Sequence, residues 1–254
     1  HLNYQDLEEA FAPGRNFANK IWNAGRFALM NLEGAEVRPV EEIRETLEPA
    51  DRWILSRLNH ATREVTRALE QFRFHEAAST VYHFFWGEIA DWYLELIKPR
   101  LYGEATEESK RAAQSTLVAV LDGVLRLLHP IMPFISEALW LRLPVPAGKS
   151  REESLVIARW PDPRPEWDDA EAEEQMTALM ELIGEIRTLR SEYGVAAGAQ
   201  VEVQLSNMPP ALARALDVEE RAVQRLARVA EVRREGGPDG RMGARAVLRS
   251  GADL

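Results

Sequence analysis

Three asparagines and three cations share one short stretch of this chain: Arg15, Asn16, Asn19, Lys20, Asn23 and Arg26. An asparagine amide both donates and accepts hydrogen bonds, so it can match the edge of a nucleobase, whereas arginine and lysine suit phosphate oxygens. Trp22 and Phe27 interleave with them, and such rings stack on unpaired bases. The chemistry these eight side chains offer is recognition of single-stranded nucleic acid rather than bond making. The competing reading is that the amides bond neighbouring helices or linkers inside the fold. Residue types alone leave both open.

Positioning them requires a helix. Phe17, Ile21, Ala24 and Ala28 recur at steps of four, three and four, one apolar stripe of a helix expected over residues 13–32. The amides and cations lie opposite that stripe, with the asparagines on adjoining turns. Asparagine costs up to about 0.7 kcal/mol relative to alanine in a helix interior, so an ordinary solvent face would favour other residues. No acid occurs from Ala10 to Leu32, although the chain holds 41 among 254 residues. At that density, a window of this length without an acid arises by chance roughly 2% of the time.

The rest of the composition restricts the function. A net charge of −10 repels nucleic acid at long range, so binding would have to be local. Apolar residues make up 46% of the chain, enough for a core without staples. With no cysteine there is no disulfide, thiolate nucleophile or cysteine zinc site, which fits a cytoplasmic protein. No apolar run approaches the roughly 20 residues that span a membrane, and residues 1–5 show no signal-peptide pattern. The missing initial methionine and the abrupt ends suggest a segment of a longer polypeptide.

Further helices are expected. Asp51 is placed to cap one whose stripe is Ile54, Leu58, Ala61, Val65, Leu69 and Phe72. A third begins near Phe74, with Ala78, Tyr82, Phe85, Ile89, Trp92 and Leu96 inward, and is stopped by Pro99. A fourth bears Leu117, Leu121, Val124 and Leu128, and is broken by His129-Pro130-Ile131-Met132-Pro133. A short fifth covers residues 134–143. Together these predict a mainly α fold, an antiparallel helix bundle over residues 1–143. Residues 144–167, with Pro144, Pro146, Pro161, Pro163 and Pro165, read as a partly extended connection. Residues 168–254 read as a helix (Met176, Leu179, Ile183 and Ile186 on one side) plus a small α/β unit. That unit has a strand at Val201, Val203 and Leu205, a helix over 211–228, and strands at 229–234 and 246–249 around a glycine-rich turn, Gly236-Gly237-Pro238-Asp239-Gly240.

Other candidates for chemistry are weaker. His75 and His83 lie eight apart on one helix without a third metal ligand at suitable spacing. Asp91 and Glu95 form an i, i+4 carboxylate pair, read as bonding a neighbouring arginine rather than as catalytic. The aromatic run 82–86 reads as core. No Ser/His/Asp or Gly-x-Ser-x-Gly arrangement is present, and no catalytic residue is assigned.

Three segments carry a resemblance. Residues 14–27, Gly-Arg-Asn-Phe-Ala-Asn-Lys-Ile-Trp-Asn-Ala-Gly-Arg-Phe, resemble the first helix of the anticodon-binding domain of valyl-tRNA synthetases. Residues 91–99, Asp-Trp-Tyr-Leu-Glu-Leu-Ile-Lys-Pro, resemble its third helix. Residues 127–140, Leu-Leu-His-Pro-Ile-Met-Pro-Phe-Ile-Ser-Glu-Ala-Leu-Trp, resemble its later turn and helix. Order and spacing also match. The His-Pro-x-Met-Pro-Phe block is shared with the isoleucine and leucine synthetases. The Asn-Lys-x-Trp-Asn-Ala-x-Arg-Phe segment and Lys98-Pro99 favour valine, and the isoleucyl enzyme is the nearest alternative. The synthetase ATP motifs, the editing domain and the C-terminal coiled coil are absent from this sequence. The resemblance therefore implies a non-catalytic module without a cofactor of its own. Its parent would use ATP and Mg²⁺ to attach valine, and its partners would be tRNA(Val) and the catalytic domain of the same polypeptide. Arg15, Asn16, Asn19, Lys20, Trp22, Asn23, Arg26 and Phe27 would be its tRNA-binding residues. A helical protein-interaction domain without an RNA role is the alternative of a different class.

Overall fold

The computed structural model describes residues 4–234 and 244–254, and the fold is mainly α. The chain divides into two compact units, His1–Asp168 and Asp169–Leu254. The glycine-rich segment 236–240 lies outside the described residues.

In the first unit, α1 (Tyr4–Leu32) begins earlier than expected and carries Pro13 inside it. Helix α2 (Pro49–Glu70) follows two short 3₁₀ turns. Asp51 is not its cap, as expected from sequence; it is the third helical residue of a capping box in which Glu48 is the cap. A proline at the first helical position, where no N–H is needed, moves the start two residues upstream of Asp51. The stripe ends before Phe72, which is exposed at φ 59° because the chain leaves the helix there.

The third expected helix is continuous but not uniform. Helix α3 (Phe74–His83) passes into a π-helical stretch, Phe84–Tyr93, and then into α4 (Leu94–Leu101). The wider turns change the phase, so Tyr93 is buried and Trp92, expected inward, is only half-buried. Pro99 does not stop the helix; it sits inside α4, which ends two residues later. There Gly103, at φ 86°, lets the Glu104 N–H donate back to the Pro99 carbonyl at 2.9 Å, satisfying one of the orphan carbonyls of a helix end.

Helix α5 (Glu107–Leu128) is capped by the Thr106 hydroxyl, which accepts from the Ser109 N–H. Its expected stripe, Leu117, Leu121, Val124 and Leu128, is buried throughout. After the turn at 129–132 comes α6 (Pro133–Trp140). Helix α2 packs on α3 and α5, α5 on α4 and α6, and α1 on the π-helical stretch, α5 and α6. The proline-rich connection is pinned to α2: the Arg164 N–H donates to Asn59 Oδ1 at 2.9 Å, and Trp160 Nε1 to Thr66 Oγ1 at 2.9 Å.

A buried polar knot joins three helices. Asp51 accepts from the Tyr93 hydroxyl at 2.9 Å and from Arg100 at 2.8 Å, while Arg100 also donates to Ser109. Burial pushes the Tyr93 phenol well above its ordinary value of 10.0; Asp51 adds to that and Arg100 opposes it. Burial works against the Arg100 charge, yet Asp51 outweighs it and holds the guanidinium above its usual range. A phenol raised in the folded state binds its proton more tightly there than in the unfolded chain. Its contribution is therefore complete below pH 10.0 and drains as pH rises beyond it. In urea titrations between about pH 8 and pH 11, spanning the ordinary phenol value, the midpoint should fall more steeply for the wild type than for Tyr93→Phe. Parallel declines would mean that another group controls alkaline unfolding.

In the second unit, α7 (Ala170–Glu192) is capped by Asp169 and buries Met176, Leu179, Ile183 and Ile186. Strands β1 (Val201–Leu205) and β2 (Val229–Arg234) pair in parallel, linked by α8 (Pro210–Ala227), with a register shift just after Val201. Arg228 ends α8 in the left-handed conformation, φ 54°. Residues 246–249, expected as a strand, are not one; Val247 makes a single bridge to Asp253.

Candidate nucleic-acid interface

Helix α1 is held by its apolar stripe. Phe17, Ile21, Ala24, Ala28 and Leu32 are all buried. The Phe17 ring lies 4.8 Å from Tyr82 and 6.0 Å, edge-on, from Phe85. Further along, a Cβ on Gly25 would fall 2.6 Å from Leu139 Cδ2, so glycine lets α1 approach α6 without displacing the Leu139 side chain. These contacts fix the rotation of the helix about its axis and therefore fix which residues face out.

At 100° per residue, Arg15, Asn16, Asn19, Trp22, Asn23 and Arg26 fall within an arc of about 120°, and all six are exposed. Among the described residues, the amides of Asn16, Asn19 and Asn23 make no hydrogen bond within the chain. This counts against the reading in which they bind neighbouring helices.

The other two candidates flank this arc and turn into the fold. Lys20 Nζ lies 2.7 Å from Asp91 Oδ1 and 5.2 Å from the centre of the Trp86 ring. Phe27 is half-buried, 6.5 Å from the Tyr102 ring and 5.5 Å from Lys98 Nζ. The Asp91–Glu95 pair is thereby accounted for: Asp91 bonds Lys20, and Glu95 bonds Lys98. Lysines take the place of the arginine expected from sequence. His75 and His83 are both exposed.

Sequence reading missed two residues of this face. Phe11 and Met30 are 70% and 72% exposed, and Trp22 between them is 40% exposed. With Arg15, Asn19 and Arg26 they form a row at steps of three and four, placing apolar surface beside the amides and arginines. That spacing is legible in the sequence once the helix is allowed to run back past Pro13.

Comparison with known proteins bears on this geometry. Residues 51–205 match the family described as the anticodon-binding domain of tRNA ligase. The chain is 45% identical to the valine–tRNA ligase of Carboxydothermus hydrogenoformans over 213 residues, covering 84% of this chain and 23% of that protein. With the Thermotoga maritima valine–tRNA ligase it shares 48% identity over 191 residues, 75% of this chain and 21% of that protein. For the Bacillus subtilis valine–tRNA ligase the values are 39% over 225 residues, 89% and 24%. The chain belongs to the anticodon-binding domain family of tRNA ligases. It spans about a quarter of the length of the curated relatives it matches, and α1 precedes the segment matched by the family.

Proposed function

We propose that this chain is the module by which a valine–tRNA ligase grips the anticodon stem and loop of tRNA(Val). The observation that carries this reading is the outward face of α1 from Phe11 to Met30, where exposed amides without partners among the described residues lie beside arginines and aromatic or apolar side chains, and where no acid intervenes. The relatives named above are valine enzymes, which favours valine over isoleucine. The acid-free face favours RNA over a protein partner. On this reading the catalytic part of the same polypeptide uses ATP and Mg²⁺ to attach valine in the cytoplasm, and this chain binds without catalysing. Among the described residues no helix is long and apolar enough to cross a membrane.

The test is a titration of each variant with tRNA bearing wild-type and substituted anticodons, with thermal melts alongside. The affinity of the chain by itself should be on the order of micromolar or weaker at physiological salt, given its net charge of −10. Arg26→Ala should weaken binding similarly for matched and mismatched anticodons and reduce the salt slope by about one unit. Asn19→Ala or Asn23→Ala should relax discrimination at one anticodon position by about 1–3 kcal/mol with little change in salt slope. Lys20→Ala is the poorer probe, because it also breaks the Asp91 pair. Asparagine variants that melt lower while keeping full discrimination would make the amides structural and end the α1 reading.

A further inference from the structure

The connection over residues 144–167, the linker carrying Arg38 and Glu41, and α2, α5 and α6 line a half-open cavity of about 460 Å³ that shares no residue with the α1 face. All of its lining carboxylates are already engaged. Asp122 pairs with Arg126 at 2.9 Å, Asp162 with Arg159 at 3.0 Å, and Glu41 with Arg164. Three lining cations remain, Arg38, Lys149 and Arg151, and among the described residues none of them has a carboxylate partner. The cavity therefore holds about three uncompensated positive charges in a chain whose net charge is −10.

Arg151 is the most constrained of the three. Its guanidinium lies 4.8 Å from the centre of the Trp140 ring, and its hydrogen bond to the Pro144 carbonyl is long, at 3.4 Å. Arg126 sits 5.2 Å from the same indole. The nearby Asp122 is already engaged: it takes two hydrogen bonds from Arg126, at 2.9 and 3.2 Å, and one from Trp140 Nε1 at 2.6 Å. Burial lowers the Arg151 pKa below its usual value; Asp122 opposes that and Arg126 adds to it. A half-buried guanidinium held against an indole, most of its donors unfilled and a like charge beside it, is preorganised for an oxyanion. An anion there would relieve both the desolvation and the repulsion.

We propose that this cavity is a phosphate-binding site, with Arg151, Arg38 and Lys149 as its ligands and room for a group of nucleotide size. The volume lies within the range of small-ligand sites. The phosphate can belong to a free nucleotide or to an RNA strand, and inorganic phosphate probes the shared chemistry. The proposal does not depend on α1 reading the anticodon.

The experiment is an NMR titration of the full 254-residue chain, following the Trp140 indole N–H, with inorganic phosphate, adenosine 5′-monophosphate, adenosine and a short single-stranded RNA. Phosphate, the nucleotide and the RNA should shift that resonance saturably at millimolar concentration or below, and adenosine should not. Arg151→Gln should weaken the response by about tenfold or more, whereas Arg111→Gln, at an exposed position of α5 outside the cavity, should leave it unchanged. If the mononucleotide binds best, the site takes a free nucleotide; if the RNA does, it takes a strand phosphate. Should Arg151→Gln fail to fold, the double variant Arg38→Gln/Lys149→Gln, at two exposed positions, must show the same loss. No shift with any phosphate compound, or equal binding by adenosine, would overturn the proposal. So would an unchanged response in the glutamine variants.

Discussion

Asp51→Ala is expected to destabilise the helical unit by about 3–5 kcal/mol, the range for breaking a buried ion pair by removing one partner. The Asp51 side chain is 0% exposed and that of Arg100 only 7%. Removing the carboxylate leaves the Tyr93 hydroxyl without its acceptor, and leaves Arg100 with Glu48 at 3.5 Å as its nearest remaining charge. Arg100 Nη1 already lacks a partner among the described residues, so losing Asp51 adds a second unfilled donor to the same guanidinium. Asp51 also accepts from the Glu48 N–H at 3.1 Å, so the start of α2 loses half of its capping box as well. Urea denaturation followed by tryptophan fluorescence would measure the loss. All seven tryptophans, from Trp22 to Trp167, lie in the unit His1–Asp168, so the signal reports that unit alone. Pairing Asp51→Leu with Arg100→Met should recover part of the loss, because an apolar pair removes the buried unpaired charge. A cost below about 1 kcal/mol for Asp51→Ala would mean that water enters the knot and solvates Arg100.

How far the sequence could be read depended on how closely each element keeps to ideal geometry. The stripe of α5 is legible because the helix is regular over all 22 of its residues, so apolar spacing maps directly onto burial. On α1 the outward side was legible for the same reason, and six of the eight candidates are exposed there. The fate of Lys20 was not legible, since its partner Asp91 lies 71 residues away in sequence. Phe27 likewise finds Tyr102 and Lys98 only after folding. The phosphate cavity escaped notice because its cations come from separate segments, Arg38 from one linker and Lys149 and Arg151 from another. No local spacing rule joins them. Among the described residues, 246–249 pair only with the short segment 252–254, through Ala246 with Leu254 and Leu248 with Ala252, which is too little to make a strand.

The second large effect follows from the π-helical stretch. Phe85, Ile89, Tyr93 and Ile97 are spaced by four, and each is at most 1% exposed. In an ideal α-helix, three steps of four would drift by about 120°, carrying one end of the row off the core. The wider turns of the π-helical stretch Phe84–Tyr93 cancel that drift, since i→i+5 bonding puts more residues into each turn. An α-helical register would instead bury Trp92, one position earlier. The two registers predict opposite rankings for a pair of alanine variants. Tyr93→Ala should cost about 3–5 kcal/mol, the usual loss for a fully buried aromatic residue, with a further penalty for the exposed lone pairs of Asp51. Trp92→Ala, at a half-buried position, should cost about 1–2 kcal/mol. Equal costs, or a larger one for Trp92, would place the α-helical phase in solution and remove the geometric basis of the Asp51 knot. The ranking also bears on α1, because the same stretch supplies Phe85 and Trp86 to Phe17, Trp86 to Lys20 and Asp91 to Lys20. A register slip there would rotate the partners that hold α1. The face of α1 that carries Asn19 and Asn23 would then lose its fixed orientation without either residue being touched, and, on the proposed reading of that face, Tyr93→Ala should blur anticodon discrimination before it unfolds the chain.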